Sequence, residues 1–536
     1  MSKLISLFVL VLLAVGAAIF LSAWWWILAV ILGAIWLLGV RNYSQHQHSI
    51  LRNFPLVGHG RYLADWLRPK IYQYFVEPDT DGRPFNRIFR SIVYQRAKEV
   101  LDTAPFGTQL NVYDTGYEWM NHSIAAIDYD TLDQDPRVKI GGPACLQPYK
   151  ASILNVAAMS YGSLSKNAIL ALNGGASIGG FAHNTGEGGI SPYHEEYQGD
   201  LIYQIGTGYF GSRSPDGGFS PDEYTKQATK PNVKMIELKL SQGAKPGHGG
   251  ILPAKKVTQE IANIRGVEIG QDVLSPPYHK AFSTPIELMH FIQQLRDLSG
   301  GKPVGFKLCI GNKSEFLAIC KAMIETQIRP DFIAIDGGEG GTGAAPLEFS
   351  NSVGMPMLDG LAYASNALIG FDLKKDITLI ASGKVVTGYH IYRALALGAD
   401  ACYSARAMMM ALGCIQALEC NKNSCPVGVT TNDPHLMRGL VVKDKKHRVA
   451  SFHRETVHSF VELMGASGHH DLQSINRADI TRRTENNVSL RYDQIYPYIT
   501  RGCLLESGDC PASLRADYAI SSPHQFKPVF EVAYEA

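Results

Sequence analysis

Neither sign of charge dominates this sequence, and charge of any kind is scarce. Its 536 residues hold 50 Lys and Arg against 49 Asp and Glu, a net charge of +1, and 18% of residues are charged. Soluble domains usually carry about 25%. Without a surplus of Lys and Arg there is no electrostatic footprint for a phosphate backbone, which argues against a nucleic-acid binder. The 52 glycines follow no G-X-Y period, which excludes collagen. The nine cysteines include no CxxC and stand beside no paired-His spacing, which argues against zinc.

Charge is missing most completely at the N-terminus. From Leu4 to Val40 no residue is charged, and only Ser6 and Ser22 are conventionally polar. One helix of that length would reach about 55 Å, against a hydrocarbon core of about 30 Å. Two short spans fit better, Leu4–Phe20 and Trp25–Gly39, turning near Ser22-Ala23-Trp24 with the indoles of Trp24, Trp25 and Trp26 at the far interface. Lys3 on one side and Arg41, Arg52, Arg61, Arg68 and Lys70 on the other all favour the cytoplasm, which an even number of spans satisfies. This predicts an inner-membrane hairpin at residues 1–42 with a cytoplasmic body. A single anchor and a signal peptide ending near Leu21-Ser22-Ala23 are the alternatives; a second apolar run directly behind the cleavage site speaks against the latter.

Residues 43–140 read as a juxtamembrane collar packing on the main domain, in which Arg87 and Arg90 suit either a surface or an anion. From Ile153 a rhythm of short apolar runs begins, most of them continuous as parallel strands buried on both faces should be. The runs are Ile153–Ala158, Gly180–Ala182, Leu201–Ile205, Val233–Leu240, Val304–Cys309, Phe332–Ile335, Ile377–Ala381 and Ala401–Tyr403. Helical stretches such as Ser165–Gly174, Pro285–Leu298 and Gly388–Leu397 separate them. Eight such units predict an α/β fold, a (β/α)8 TIM barrel, over residues 141–475, with 476–536 as a C-terminal extension. A doubly wound sheet is the rival, but Met159-Ser160-Tyr161-Gly162-Ser163 after the first run is no G-x-G-x-x-G.

Two patterns carry chemistry. Cys414, Cys420 and Cys425, the last followed by Pro426, fall within one loop (413–430) just after the last run. Three thiols at these spacings need a loop wrapped round a centre, which suits an iron–sulfur cluster with one ligand per iron. Buried free cysteines are the other reading. Cys145, Cys309, Cys320 and Cys402 carry no spacing signal, and Cys503 and Cys510 lie in the tail. The second pattern is Gly383-Lys384 and Ala405-Arg406 after runs seven and eight, where barrel enzymes often hold a phosphate on backbone N–H groups. Ordinary tight turns would look the same.

Taken together these segments resemble the flavin-binding synthase domain of the glutamate synthase large subunit. The resemblance rests on Ala157-Ala158-Met159-Ser160-Tyr161-Gly162-Ser163-Leu164-Ser165, Asn184-Thr185-Gly186-Glu187-Gly188-Gly189, Gln242–Gly250, Ser275-Pro276-Pro277, Gly340-Gly341-Thr342-Gly343-Ala344, and the stretch from Cys414 through Cys420 to Cys425-Pro426-Val427-Gly428-Val429. It spans about residues 140–475, and the anchor resembles that of a short membrane-tethered branch. The resemblance implies FMN, a 3Fe–4S cluster on Cys414, Cys420 and Cys425, and reduction of the imine of 2-oxoglutarate and ammonia to L-glutamate. Met159, Ser160, Gly341, Gly383, Lys384, Ala405 and Arg406 would hold FMN, with Lys307 near flavin N1/O2. Lys307 reads equally as a salt-bridged barrel lysine. Glu187, Gln242 and Lys245 would face substrate, Lys245 on a carboxylate and Glu187 on ammonia or its proton.

Two departures stand out. Tyr209 occupies the place of a family arginine, removing a forked guanidinium–carboxylate contact, with Arg213 the candidate to compensate. His248 stands where the family usually has glutamate. The resemblance therefore leaves the identity of the 2-oxo acid open. No amidotransferase domain and no NAD(P) site is visible, so ammonia is expected free or from an amidotransferase partner. Electrons are expected from a ferredoxin or reductase subunit. An amino-acid dehydrogenase or N-substituted glutamate synthase on the same scaffold, and a non-catalytic membrane scaffold, are the alternatives.

Overall fold

The computed structural model describes residues 2–528 and divides the chain into two compact units, Met1–Arg87 and Ile88–Ala536. The boundary falls inside the segment expected to form one collar.

In the first unit, α1 (Ser2–Phe20) and α2 (Trp25–Ser44) are two helices long and apolar enough to cross a membrane. They pack at small residues: a Cβ on Gly39 would lie 2.5 Å from the Leu4 side chain. The buried Asn42 at the end of α2 donates to Pro55 O (2.7 Å) and sits 3.2 Å from His59 Nε2. It thereby fixes the start of α3 (His59–Ile71) to the end of α2. No residue of α3 is buried; Tyr62, Leu63, Trp66 and Ile71 are exposed, and the Lys70 ammonium lies 3.9 Å from the centre of the Trp66 ring.

In the second unit eight parallel strands close into a barrel in chain order: β1 (Leu154–Val156), β2 (His183–Asn184), β3 (Leu201–Ile205), β4 (Val233–Lys239), β5 (Val304–Leu308), β6 (Phe332–Asp336), β7 (Thr378–Ser382) and β8 (Ala401–Ser404). The expected (β/α)8 architecture is the one observed. The second strand is displaced from its expected place, Gly180–Ala182, to His183–Asn184. The reason is polar: Asn184 points into the barrel, where it and Gln204 donate to the fully buried Glu237 (2.9 and 2.6 Å). A strand whose inward residue serves a buried carboxylate shows no apolar run.

Among the connecting helices, α4 (Lys166–Gly179) begins at Ser165, whose hydroxyl accepts from Ala168 N. α5 (Pro285–Leu298) has a Thr284/Glu287 capping box with Pro at its first turn. α6 (Gly388–Ala396) follows β7, α7 (Arg406–Leu412) follows β8, and α8 (Val442–Ala466) packs along α4, where Gly175 lets Val449 approach.

The barrel floor, at the strands' N-terminal ends, is apolar: Met235, Phe332, Ile380 and Ala401 meet Ile140 and Ala151 of a β-hairpin (Arg137–Ile140 with Tyr149–Ser152). A buried ion pair locks this end. Asp331 accepts from Arg296 Nε and Nη2 (3.2 and 3.1 Å), Val304 N (2.8 Å) and Gly142 N (2.7 Å). Strand Ile480–Arg483, in the expected C-terminal extension, pairs antiparallel with Glu118–Met120 ahead of the barrel. The Glu118 carboxylate receives Arg393 of α6, Arg482 and Tyr492 OH, at 2.6 Å each.

Candidate functional site

All the residues expected to hold flavin or substrate lie at the C-terminal ends of the strands. Met159 and Ser160 follow β1, Glu187 follows β2, Gln242 and Lys245 follow β4, and Lys307 ends β5. Gly341 follows β6, Gly383 and Lys384 follow β7, and Ala405 and Arg406 follow β8. Side-chain alternation explains the inward set: Glu237 and Lys239 share a face of β4, and register pairs Lys239 with Lys307 of β5.

The loops interlock through glycines whose missing side chains make room. A Cβ on Gly186 would fall 2.5 Å from Ser160 N, and one on Gly243 would fall 1.6 Å from Gly337 O. Asp336 couples two more loops, accepting from Ser382 Oγ and from Gly243 N, both at 2.8 Å. Lys384 sits in the left-handed region at φ 50°, a conformation that non-glycine residues keep only where the surroundings hold it.

Glu187 Oε1 accepts from Lys239 Nζ at 2.7 Å. Burial would raise the Glu187 pKa, but Lys239, then Arg265 and Lys245, hold it below its ordinary value. Burial, and then the neighbouring Lys239, depress Lys245 to about 8. Between Glu187, Lys239, Gln242 and His248 lies a space of about 20 Å³, the size of one water. Lys307 is 6% exposed, and among the described residues its ammonium has no hydrogen-bond or ion-pair partner. A buried cation left in that state fits an anionic ligand such as the flavin N1/O2 edge. The glycines of the loops after β6 and β7 let side chains close on the backbone: a Cβ on Gly341 would fall 2.7 Å from the Arg406 guanidinium, which donates to Glu339 O (2.8 Å), and one on Gly383 would fall 2.9 Å from Met357.

Four placements were not anticipated. Lys239 is the partner of Glu187, and its signal was a charged residue inside the apolar run Val233–Leu240. Arg265, 4% exposed, reaches Tyr161 O (3.0 Å) and stands over the Phe210 ring. Arg213, the candidate to compensate for the family arginine, stands 5.7 Å from the centre of the same Phe210 ring and lines a cavity of about 310 Å³ with Glu268 and Gln271. Tyr209 is fully buried: its hydroxyl lies 3.1 Å from His279 Nδ1 and accepts from Ala281 N (3.1 Å), while His279 Nε2 donates to Lys239 O (2.8 Å). His248 does line the site, its ring meeting Phe349 edge-on at 5.3 Å.

The cysteine loop follows α7. Among the described residues no three His, Cys, Asp or Glu side chains converge on one metal ion. A cluster of several irons asks for less convergence, since each thiolate binds its own iron. Burial raises the Cys414 thiol to about 11. Burial also works on Cys425, but hydrogen bonds from Thr430, Val427 and Val429 bring it below its ordinary value. Three thiols with backbone donors round one of them are a donor set that fits an iron–sulfur cluster.

The chain matches the conserved region in glutamate synthase over residues 131–470. It belongs to the glutamate synthase family. It is 36% identical over 495 residues to the glutamate synthase large subunit-like protein YerD of Bacillus subtilis, across 85% of this chain and 94% of that one. It is 35% identical over 322 residues to an archaeal glutamate synthase [NADPH] of Methanocaldococcus jannaschii, spanning 60% of that protein's length. Against the glutamate synthase [NADPH] large chain of Bacillus subtilis it is 33% identical over 336 residues, 21% of that chain. A flavocytochrome b2 mutant with pyruvate bound is a distant structural likeness, at 13% identity and a TM-score of 0.42 over 78% of this chain and 84% of its own. Family membership makes the chain a glutamate-synthase-like oxidoreductase.

Proposed function

We propose that this family member is a membrane-anchored oxidoreductase that carries FMN and a 3Fe–4S cluster and reductively aminates a 2-oxo acid, 2-oxoglutarate to L-glutamate first among them. The observation that carries the reading is the paired and unpaired cations at the barrel mouth: Lys239 on Glu187, and Lys307, buried and, among the described residues, without a counter-charge. Met159, Ser160, Gly341, Gly383, Lys384, Ala405 and Arg406 would hold FMN, with Lys307 at its N1/O2 edge, and Cys414, Cys420 and Cys425 would hold the cluster. The bound flavin would supply hydride, with electrons reaching it by way of the cluster.

The chain's own residues do the rest. Lys245, cationic below pH about 8, holds a substrate carboxylate. Glu187, kept ionised by Lys239, accepts a proton from ammonia in the one-molecule space beside it, and Gln242 orients the oxo acid next to that space. The two apolar helices anchor the protein in the inner membrane, catalytic unit on the cytoplasmic side, and the exposed aromatic face and cations of α3 suit a headgroup layer. A ferredoxin or reductase subunit supplies electrons, and ammonia arrives free or from an amidotransferase partner.

The test is flavin absorbance and iron content of the detergent-extracted protein, followed by reoxidation of the reduced form. Reoxidation by 2-oxoglutarate plus ammonia supports the reading; a colourless, iron-free protein overturns it. One observation favours a second reading, N-substituted glutamate synthesis. A cavity of about 890 Å³ shares Leu240, Ser241, Gly247 and Pro277 with the wall of the substrate space, room for an amine much larger than ammonia. Reoxidation by 2-oxoglutarate with a primary alkylamine but not with ammonia would select it.

A further inference from the structure

The side chain of Lys256 is buried at 3% exposure, and its ammonium donates to three backbone carbonyls: Thr430 O at 2.7 Å, Cys420 O at 2.8 Å and Ser163 O at 3.2 Å. These come from the middle and the end of the cysteine loop and from the turn after β1 that carries Met159 and Ser160. Asn432 repeats the tie, donating to Gly162 O (3.2 Å) and Lys256 O (2.9 Å), and Ser165 Oγ donates to Gly428 O (2.7 Å). The loop is thus seated on the β1 turn by one cation and two amide or hydroxyl groups.

The cation is the informative member. Carbonyls satisfy its hydrogen bonds but do not neutralise it, and among the described residues Lys256 has no carboxylate partner. Taking a lone ammonium out of water costs several kcal/mol unless an opposite charge stands near. Burial works against that charge, but the ammonium's bond to Cys420 O sets it beside a proposed cluster ligand, and Cys420 and Cys425 favour its charged form. A neutral lysine would gain little there, because only an ammonium has three protons for three carbonyls.

We propose that Lys256 is a positioning and charge-tuning residue for the cysteine loop. It holds the loop on the flavin-side turn, and its fixed positive charge is the counter-ion of an anionic centre on Cys420 and Cys425. The proposal rests on the cluster reading above. A buried cation beside a cluster favours the form with one more electron and so raises its reduction potential.

The test uses the full-length protein in detergent with three variants: Lys256→Met keeps the stem without charge, Lys256→Gln keeps a donor without charge, and Lys256→Arg keeps the charge. Iron and acid-labile sulfide per chain are measured together with the midpoint potentials of the cluster and, as internal control, the flavin. The expected result is a cluster potential shifted downward in Lys256→Met and Lys256→Gln and retained in Lys256→Arg, with the flavin potential unchanged. Selective loss of iron in the two uncharged variants, with flavin content and circular dichroism intact and Lys256→Arg still loaded, also supports it. Lys256→Met with full iron and a parental potential overturns it while leaving the cluster reading standing. Parental protein without iron removes the cluster reading and this proposal with it.

Discussion

The barrel holds a buried ion pair at each end, and the two are built differently. At the floor, Arg296 and Asp331 are saturated: the carboxylate takes four donors, and the guanidinium also reaches Gln293 Oε1 (2.7 Å) and Arg329 O (2.5 Å). At the mouth, Glu187 and Lys239 share a single bond, and among the described residues the second carboxylate oxygen and the remaining ammonium protons have no partner. A saturated pair has nothing left to offer a ligand and fixes the geometry of the strands around it. An unsaturated one keeps donors and acceptors for something that arrives. The same strands carry both, because side chains two residues apart share a face while the ends of a strand meet different surroundings.

Breaking the floor pair has the largest expected effect. Asp331→Ala leaves Arg296 buried without its counter-charge, and stability falls by about 3–5 kcal/mol, with activity per folded molecule kept; urea denaturation with parallel kinetics checks this. Glu187→Gln should do the reverse, lowering the rate of imine reduction by about 100-fold, equivalent to about 2.7 kcal/mol, with little loss of stability in the same assay. Lys245→Gln comes next, raising KM for the oxo acid by about 10-fold, or about 1.4 kcal/mol. In the parent, KM rises with pH through about 8 as Lys245 loses its proton, and the variant should show no such rise. Tyr209→Phe is the smallest: losing the hydroxyl between His279 and Ala281 costs about 1 kcal/mol of stability and leaves substrate preference unchanged. A changed preference would show that the tyrosine reaches the mouth after all.

The strands were legible where burial on both faces made them apolar, as in Val304–Leu308 and Phe332–Asp336, and obscure where the interior is polar, as at Asn184. That the residues expected to face flavin and substrate gather at one end was legible from motif order, because their motifs follow barrel strands and closure of the barrel brings the strand ends together. Lys239 was legible in principle as a charge in an apolar run. Arg265 was not: it ends a helix (Gln259–Arg265) outside every motif, and only packing brings it to Phe210. The place of Tyr209 was also hidden. Its left-handed backbone (φ 50°) and its contact with a histidine 70 residues away are set by packing that no local pattern shows.

Glu118 carries a practical consequence for anyone who wishes to excise the catalytic module. The family match spans residues 131–470, yet the carboxylate that holds Arg393 stands before it and Arg482 after it. Cutting at the limits of the match would strip Arg393 of its anion and take Glu118–Met120 and Ile480–Arg483, the two strands that pair around it, away together. The smallest independently stable module is therefore larger than the conserved region that the family match marks, and the segments on either side of it belong to the fold of the enzyme rather than to its packaging.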